Sequence, residues 1–198
     1  MTLLYVAPDG ERPQWLQTPE QHGDVAIRVM TRTGEHVDAV ILDAARDLRP
    51  DLLLMGWDGA PGQERYLLGS TLDPVARYAP CDVAVMRTSD LSTIRRVLVP
   101  MSSGPNAPLA LELALHLPDV QVTALNVARE SLGATGEAVG RTQLDHVLRP
   151  WAGNDRVSTQ VVRASGIIDG ILTEAASDYD IVLIGATEAS YVDRKLFG

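Results

Sequence analysis

Two halves of this 198-residue chain repeat one another at an offset of about 120 to 130 residues. A repeat of this length is typical of duplicated domains rather than of a solenoid. It predicts two related units, residues 1–90 and 94–198, joined by the short polar segment TSDLST. The matched segments are TLLYVA (2–7) with TALNVA (123–128), VAIRVMTRTGEHVDAVILDAA (25–45) with VSTQVVRASGIIDGILTEAAS (157–177), and DLLLMGWDG (51–59) with DIVLIGATE (180–188).

Short apolar segments alternate with helical segments in both units. The alternation predicts an α/β fold with right-handed βαβ connections and a parallel sheet covered by helices. In such sheets, ligands bind beyond the carboxyl ends of the strands. The small-residue stretch 131–140 is expected to be a mobile loop that leads into a helix. For the second unit the pattern predicts strands at 97–101, 122–127, 158–162 and 180–185, and helices at 107–117, 137–151 and 167–177.

The two copies are incomplete at opposite ends. The first has no counterpart of residues 95–117, so we expect it to lack its first strand and helix. The second stops where the first continues through residues 69–86, so we expect it to lack its last helix and strand. The missing first strand would be central in the sheet. It should leave a gap for a neighbouring chain or the following segment to fill.

Charge and composition exclude several classes of function. The net charge is −9 and Lys195 is the only lysine, so no basic stripe exists to bind nucleic acid. The single cysteine, Cys81, excludes an intrachain disulfide and fits a reducing compartment. The four histidines lack metal-ligand spacing, and no metal site is expected. No apolar run reaches the roughly 18 residues of a membrane span, and no signal peptide is visible, so we expect a cytoplasmic location.

The strongest candidate site is the glycine-rich stretch GWDGAPGQERYLLGST (56–71), which follows the apolar segment DLLLM. Glycine permits positive φ and lets a ligand approach the backbone closely. The predicted helix 71–79 follows, with Asp73 and Pro74 in its first turn. A glycine loop that leads into a helix N-terminus offers N–H groups to an anion such as phosphate. The alternative is a strand-to-helix loop whose glycines serve turn geometry alone.

This loop, the strand before it and the trailing APCDVAVM resemble the ATP-binding signature of the universal stress protein family. The resemblance covers nearly the whole chain as two tandem units. It implies an adenine nucleotide hydrolase-like, Rossmann-type fold, ATP as ligand with or without Mg²⁺, and a homodimer formed through the last strand. Arg65 is either an additional charge for the phosphates or a solvated surface residue. The binding residues that the resemblance implies are Met55 beside the pocket, Gly56 and Gly59 around the phosphates and ribose, and Gly69, Ser70 and Thr71 at the β and γ phosphates.

The second unit departs from the family pattern at two positions. Ser102 stands where ATP-binding members carry an aspartate at the end of the first strand. Glu188 replaces the middle glycine, and a carboxylate there would repel phosphate. We therefore expect the second unit to be degenerate. The alternative is that Glu188 points outward and binding survives.

Three functional hypotheses follow. The leading one is an ATP-binding regulatory or stress-sensing module with the nucleotide in the first unit. VLVPMSSGPNAPLALELAL (97–115) also resembles units found as cytosolic tails of amino-acid permeases and antiporters, which would place the chain at the cytosolic face of a membrane. The alternative is a dimerisation module, without nucleotide, that pairs through the edge strand 83–86. An enzyme is not expected: Asp58 has no suitable neighbours, no catalytic residue is assigned, and hydrolysis would be slow and incidental.

Overall fold

A computed structural model of the chain describes residues 1–7, 11, 21–22, 25–59, 68–87, 93–101, 104 and 106–186. The chain divides into two compact units, Met1–Ser89 and Asp90–Leu196. Both contain helices and parallel strands, as predicted for an α/β protein. Several features named from the sequence lie outside the described residues: loop residues 60–67 with Arg65, linker residues 88–92, Ser102, Glu188 and Lys195.

Among the described residues, the parallel strands of the first unit form two pairs. β1 pairs in parallel with β4, and β5 pairs in parallel with β6. The short strands β2 and β3 form an antiparallel pair of their own. The elements of this unit are β1 (Thr2–Ala7), β2 (Gln21–His22), β3 (Val25–Ala26), β4 (Arg28–Thr33), α1 (Val37–Leu48), β5 (Leu52–Gly56), α2 (Leu72–Tyr78) and β6 (Asp82–Met86).

One apolar core serves both strand pairs of the first unit. Alternate residues of a strand share a face, so β1 and β5 each present two apolar side chains to the same side. α1 and α2 supply the buried residues against which those side chains pack. The buried residues are Ile41, Leu42 and Val75, and the strand residues packed on them are Leu4, Val6, Leu53 and Met55.

Local sequence explains the boundaries of α1. Asp38 lies in its first turn and Arg46 in its last, where their charges complement the helix dipole. Arg49 then adopts the left-handed conformation, with φ 47° and ψ 56°, and donates its N–H to the Ala45 carbonyl. Pro50 follows and cannot continue the helix. β5 can therefore begin immediately.

The second unit contains a four-stranded parallel sheet with the order β10-β7-β8-β9. β7 is central, and its residues Val97, Leu98 and Val99 are fully buried. The strand order changes direction beside β7, which makes the edge between β7 and β10 a topological switch point. The elements are β7 (Arg96–Pro100), α3 (Asn106–His116), β8 (Gln121–Arg129), α4 (Gly133–Val147), β9 (Val157–Ala164), α5 (Ile167–Ala175) and β10 (Ile181–Val182), with 3-10 turns at Glu130–Leu132 and Arg149–Trp151.

The prediction of a mobile loop at 131–140 is wrong. A 3-10 turn leads directly into α4, which begins at Gly133, four residues before the predicted start at residue 137. Gly136 and Gly140 are buried where α4 lies against the sheet. A Cβ at Gly136 would lie 2.9 Å from the Leu132 Cβ, and one at Gly140 would collide with the amide of Asn126. The small residues therefore permit close helix–strand packing, and this packing outweighs their low helix propensity.

Among the described residues, no helix is both long enough and apolar enough to cross a membrane.

Candidate functional site

The candidate loop starts at the carboxyl end of β5, beside the end of β6. Gly56 is the last residue of β5 and pairs with Met86. The Trp57 backbone N–H donates to the Met86 carbonyl at 2.8 Å, which extends the pairing one residue beyond the strand. The start of the loop is therefore fixed at the sheet edge where ligands bind in parallel α/β folds.

The glycines of the loop leave its backbone accessible. Gly59 has φ +79° and Gly69 has φ +117°, conformations that side-chain-bearing residues rarely adopt. A Cβ placed on Gly56 or on Gly69 would meet no described atom within 4 Å. The structure therefore leaves the side-chain side of these two glycines open.

Arg87 supplies a positive charge to the loop. A Cβ on Gly59 would lie 2.6 Å from Cζ of the exposed Arg87 guanidinium, which would have to move aside, so the positive φ is the stronger reason for glycine there. The same guanidinium lies 5.8 Å from the centroid of the Trp57 ring, within cation–π range. The Trp57 Nε1 atom is buried and has no hydrogen-bond partner among the described residues.

Sequence reasoning missed Arg87. The sequence could have identified it, because Arg87 directly follows the predicted strand APCDVAVM and parallel strands end at the same edge of a sheet. Pairing of β5 with β6 brings residue 87 beside residues 57–59, and the guanidinium then reaches the glycine backbone.

The second half of the candidate site lies at the start of α2. The Asp73 carboxylate accepts the Leu68 N–H at 3.0 Å, and the Asp73 N–H donates to the Gly69 carbonyl at 3.2 Å. These bonds fix the chain on both sides of Gly69. Thr71 is the N-cap residue, but its hydroxyl does not cap the helix, and Ser70 is exposed. α2 has only seven residues, so the dipole at its N-terminus is short.

Both ends of the loop are anchored on the same core. Met55 precedes Gly56 and packs against the cluster of Ile41, Leu42 and Val75, and Val75 belongs to the first turns of α2. Met55 therefore contacts the interior of the unit. The structure places Gly56 and Gly59 at the end of β5, and Gly69, Ser70 and Thr71 at the start of α2.

Cys81, between α2 and β6, is half-buried. Burial raises the pKa of its thiol, and the neighbouring carboxylates of Asp82 and Asp51 act in the same direction. The thiol is therefore protonated at neutral pH and is a poor nucleophile.

The corresponding strand end of the second unit is closed. Gly185 aligns with Gly56, but a Cβ on Gly185 would collide with the backbone carbonyl of Asn106 at the start of α3. The Asn106 side-chain amide donates to the Ala186 carbonyl and holds the two segments together. The backbone that is open in the first unit is packed against a helix here.

A groove of about 300 Å³ lies elsewhere in the second unit, between the end of β7 and α4. Asn126 and Gln143 line it and hydrogen-bond to one another at 3.3 Å. Among the described residues, no group of histidines, cysteines and carboxylates is arranged to hold a metal ion.

Comparison with known proteins places the family match in the first unit. Residues 2–87 match the universal stress protein family. A Staphylococcus epidermidis protein named "Putative universal stress protein" is 43% identical over 47 residues, and a similarly named Staphylococcus aureus protein is 40% identical over 47 residues. Each alignment covers 24% of this chain and 28% of the relative. The first unit therefore carries a universal stress protein domain, and the alignments span less than a third of the relatives' own length.

Proposed function

We propose that the first unit binds ATP through the loop at 56–71, and that the chain is a nucleotide-sensing regulatory module of the stress response. The observation that carries this proposal is the open backbone at Gly56 and Gly69, within the segment that matches the universal stress protein family. An accessible glycine backbone at the carboxyl end of a parallel strand is suited to phosphate binding.

Arg87 extends the proposal beyond the residues predicted from the sequence. ATP carries several negative charges, and residues 56–71 contain no lysine to balance them. The Arg87 guanidinium lies against the Gly59 backbone and is exposed, so it can contact a phosphate oxygen there. Trp57, beneath this guanidinium, helps to hold it in place.

The second unit is proposed not to bind nucleotide. The contact between Gly185 and Asn106 occupies the place where a phosphate would approach the strand end. Opening it would break the hydrogen bond from Asn106 to Ala186. The two units would then share a fold but differ in function. The first unit would bind nucleotide, and the second would serve as a fixed scaffold.

The proposal is one of binding rather than of catalysis. Phosphoryl transfer needs a positioned base and charge stabilisation at the transferred group. No histidine or lysine occurs in residues 56–71, so hydrolysis should be slow and incidental. ATP, with or without Mg²⁺, would act as a signal.

A second candidate function is dimerisation through β6. Among the described strands, β6 pairs with β5 and has no partner on its other edge. Val83, Ala84 and Val85 are half-buried, and the strand exposes little charge along its length. An open edge of this kind can pair with a second copy. Attachment of such a dimer to a membrane transporter remains a hypothesis based on the sequence resemblance at 97–115.

Calorimetric titration of ATP tests the nucleotide proposal. The parent chain should bind ATP, and Gly56→Val should abolish binding because the new side chain fills the approach to the backbone. The structure has room for a Cβ at this position, and circular dichroism of the variant checks that it folds. Ala39→Val on the exposed surface of α1 is the matched control and should bind as the parent does. Unchanged affinity in a folded Gly56→Val variant would refute the site.

A further inference from the structure

Three helices carry an aspartate in the first turn: Asp38 in α1, Asp73 in α2 and Asp169 in α5. A carboxylate at this position generally complements the helix dipole. Asp73 differs from the other two because it accepts a backbone N–H, that of Leu68, at 3.0 Å. Asp169 instead accepts the Ser165 hydroxyl at 3.3 Å, and the Asp38 carboxylate forms no hydrogen bond with the described part of the chain.

Two hydrogen bonds of Asp73 close the backbone around Gly69. Its carboxylate holds the N–H of the residue before Gly69, and its own N–H donates to the Gly69 carbonyl at 3.2 Å. Gly69 has φ +117°, so the backbone turns between these two bonds. One residue therefore fixes the path of the chain from Leu68 to the start of α2.

The core of the first unit holds Asp73 in place. Leu72 and Val75, on either side of it in α2, are 7% and 0% exposed. Val75 packs against Ile41 and Leu42 of α1, and Asp73 itself is half-buried. The end of the loop is therefore tied to a packed helix, and such support keeps binding groups in a fixed geometry.

Three successive N–H groups beside this bond have no acceptor. Those of Gly69, Ser70 and Thr71 donate to no described residue, and the Thr71 hydroxyl does not cap the helix. All three belong to the loop for which phosphate binding is proposed. A neighbouring carboxylate repels phosphate, so the negative charge of Asp73 does not favour this ligand. Its contribution is an oxygen that accepts a hydrogen bond.

We infer that Asp73 is a positioning residue for the nucleotide: its carboxylate oxygen holds the Leu68 N–H and thereby keeps the next three N–H groups arranged for the phosphates. The inference rests on the proposed binding of ATP by this loop. Asp73 acts through the backbone and not by contact with the ligand. The role requires a hydrogen-bond acceptor at this position and no negative charge.

Two substitutions at Asp73 separate the acceptor from the charge. Asp73→Asn keeps an oxygen that can accept the Leu68 N–H, so its ATP affinity should stay within about threefold of the parent value at low and high salt. Asp73→Ala leaves that N–H without its acceptor and should weaken ATP binding about tenfold. Titration calorimetry measures both variants, and circular dichroism checks that they fold.

Asp38→Ala is the matched control. Asp38, like Asp73, is the second residue of its helix and is half-buried, but its carboxylate holds no loop N–H. Its removal should therefore leave ATP affinity unchanged.

Hydrogen exchange in the parent chain tests the same bond without a substitution. Before ATP is added, the Leu68 N–H should exchange more slowly than those of Gly69, Ser70 and Thr71. ATP should then slow exchange at these three and leave Leu68 unchanged.

Three results would overturn the inference while leaving ATP binding intact. They are equal affinity of Asp73→Ala and the parent, equal losses in Asp73→Asn and Asp73→Ala, or exchange at Leu68 as fast as at Gly69 before ATP is added. Failure of the parent chain itself to bind ATP would instead refute the proposed function, and the inference with it.

Discussion

The strand ends at Gly56 and Gly185 have closely related sequences and different surroundings. Both glycines follow an apolar strand that begins after an aspartate. In the first unit no described atom lies within 4 Å of a Cβ on Gly56, whereas in the second unit the backbone of Asn106 occupies that space. The difference comes from α3, which the described part of the first unit lacks. A glycine at a strand end is thus available to a ligand only if the neighbouring helix leaves it open.

The central strand β7 is a second difference between the two units. β7 joins four strands into one sheet with fully buried residues, whereas the first unit retains two separate pairs and exposes Leu54. The segment that completes the sheet of the second unit also leads into the helix that closes its strand end. In the second unit one segment thus both completes the sheet and covers the strand end.

The largest expected effect concerns an aligned pair of leucines. Leu125 in β8 is 1% exposed, whereas its counterpart Leu4 in β1 is half-buried. Leu125→Ala should lower the free energy of unfolding of the second unit by about 2–5 kcal/mol, since it leaves a cavity in a packed core. Leu4→Ala should cost less, because water already reaches its site. Urea unfolding combined with hydrogen exchange measures both, and equal losses would mean that the two cores are equally complete.

The next effect concerns the two glycines directly. Gly185→Ala forces a methyl group into the backbone of Asn106 and should lower the free energy of unfolding by about 1–3 kcal/mol. Gly56→Ala should change it by less than about 0.5 kcal/mol, because the methyl group meets no described atom. Thermal unfolding of both variants provides the measurement. A greater loss in Gly56→Ala would reverse the assignment of open and closed ends.

The next prediction concerns the contribution of Arg87 to ATP binding. Arg87→Gln should weaken ATP binding about three- to tenfold at low salt, and by less at high salt, because the lost interaction is an exposed charge contact. Arg46→Gln on α1 is the control, since Arg46 forms a surface ion pair with Asp43 and should not affect ATP. Titration calorimetry at two salt concentrations distinguishes the variants. Equal effects of the two substitutions would indicate general electrostatic attraction.

The smallest effect is a pH dependence at Asp180 in the second unit. Hydrogen bonds from the Arg95 and Arg96 N–H groups lower the pKa of Asp180. Its stabilising contribution is therefore present above the ordinary aspartate pKa of about 3.9 and is lost as the pH falls through the lower folded value. Asp180→Asn should reduce the loss of stability on acidification below pH about 4. Acid titration of this variant beside the parent chain, followed by circular dichroism, checks this.

Much of the fold follows from the sequence, because strand and helix periodicities alternate clearly through both repeats. β7, β8, β9 and the start of α5 were predicted closely, whereas the strand predicted at 180–185 spans only Ile181–Val182; the α/β class with parallel pairing is confirmed. The start of α4 was predicted wrongly, because Gly136 and Gly140 resemble loop residues unless their contacts with β8 are known. The composition of a segment cannot show which of its glycines are required for packing against another element.

The candidate site, too, was predicted only in part. Gly56, Gly59 and Gly69 were identified from spacing within one segment, and positive φ at Gly59 and Gly69 agrees with the conformational reason given for them. Arg87 and Asn106 were missed because they reach the strand ends from distant parts of the sequence. Whether the predicted residues bind ATP is a matter for experiment.

The most direct test follows the backbone amides of the glycines by nuclear magnetic resonance during an ATP titration. The proposed open and closed strand ends predict large shifts at Gly56, Gly59 and Gly69, and none at Gly185. Shifts at Gly185 without shifts at Gly56 would contradict the account, as would a titration in which none of these amides moves.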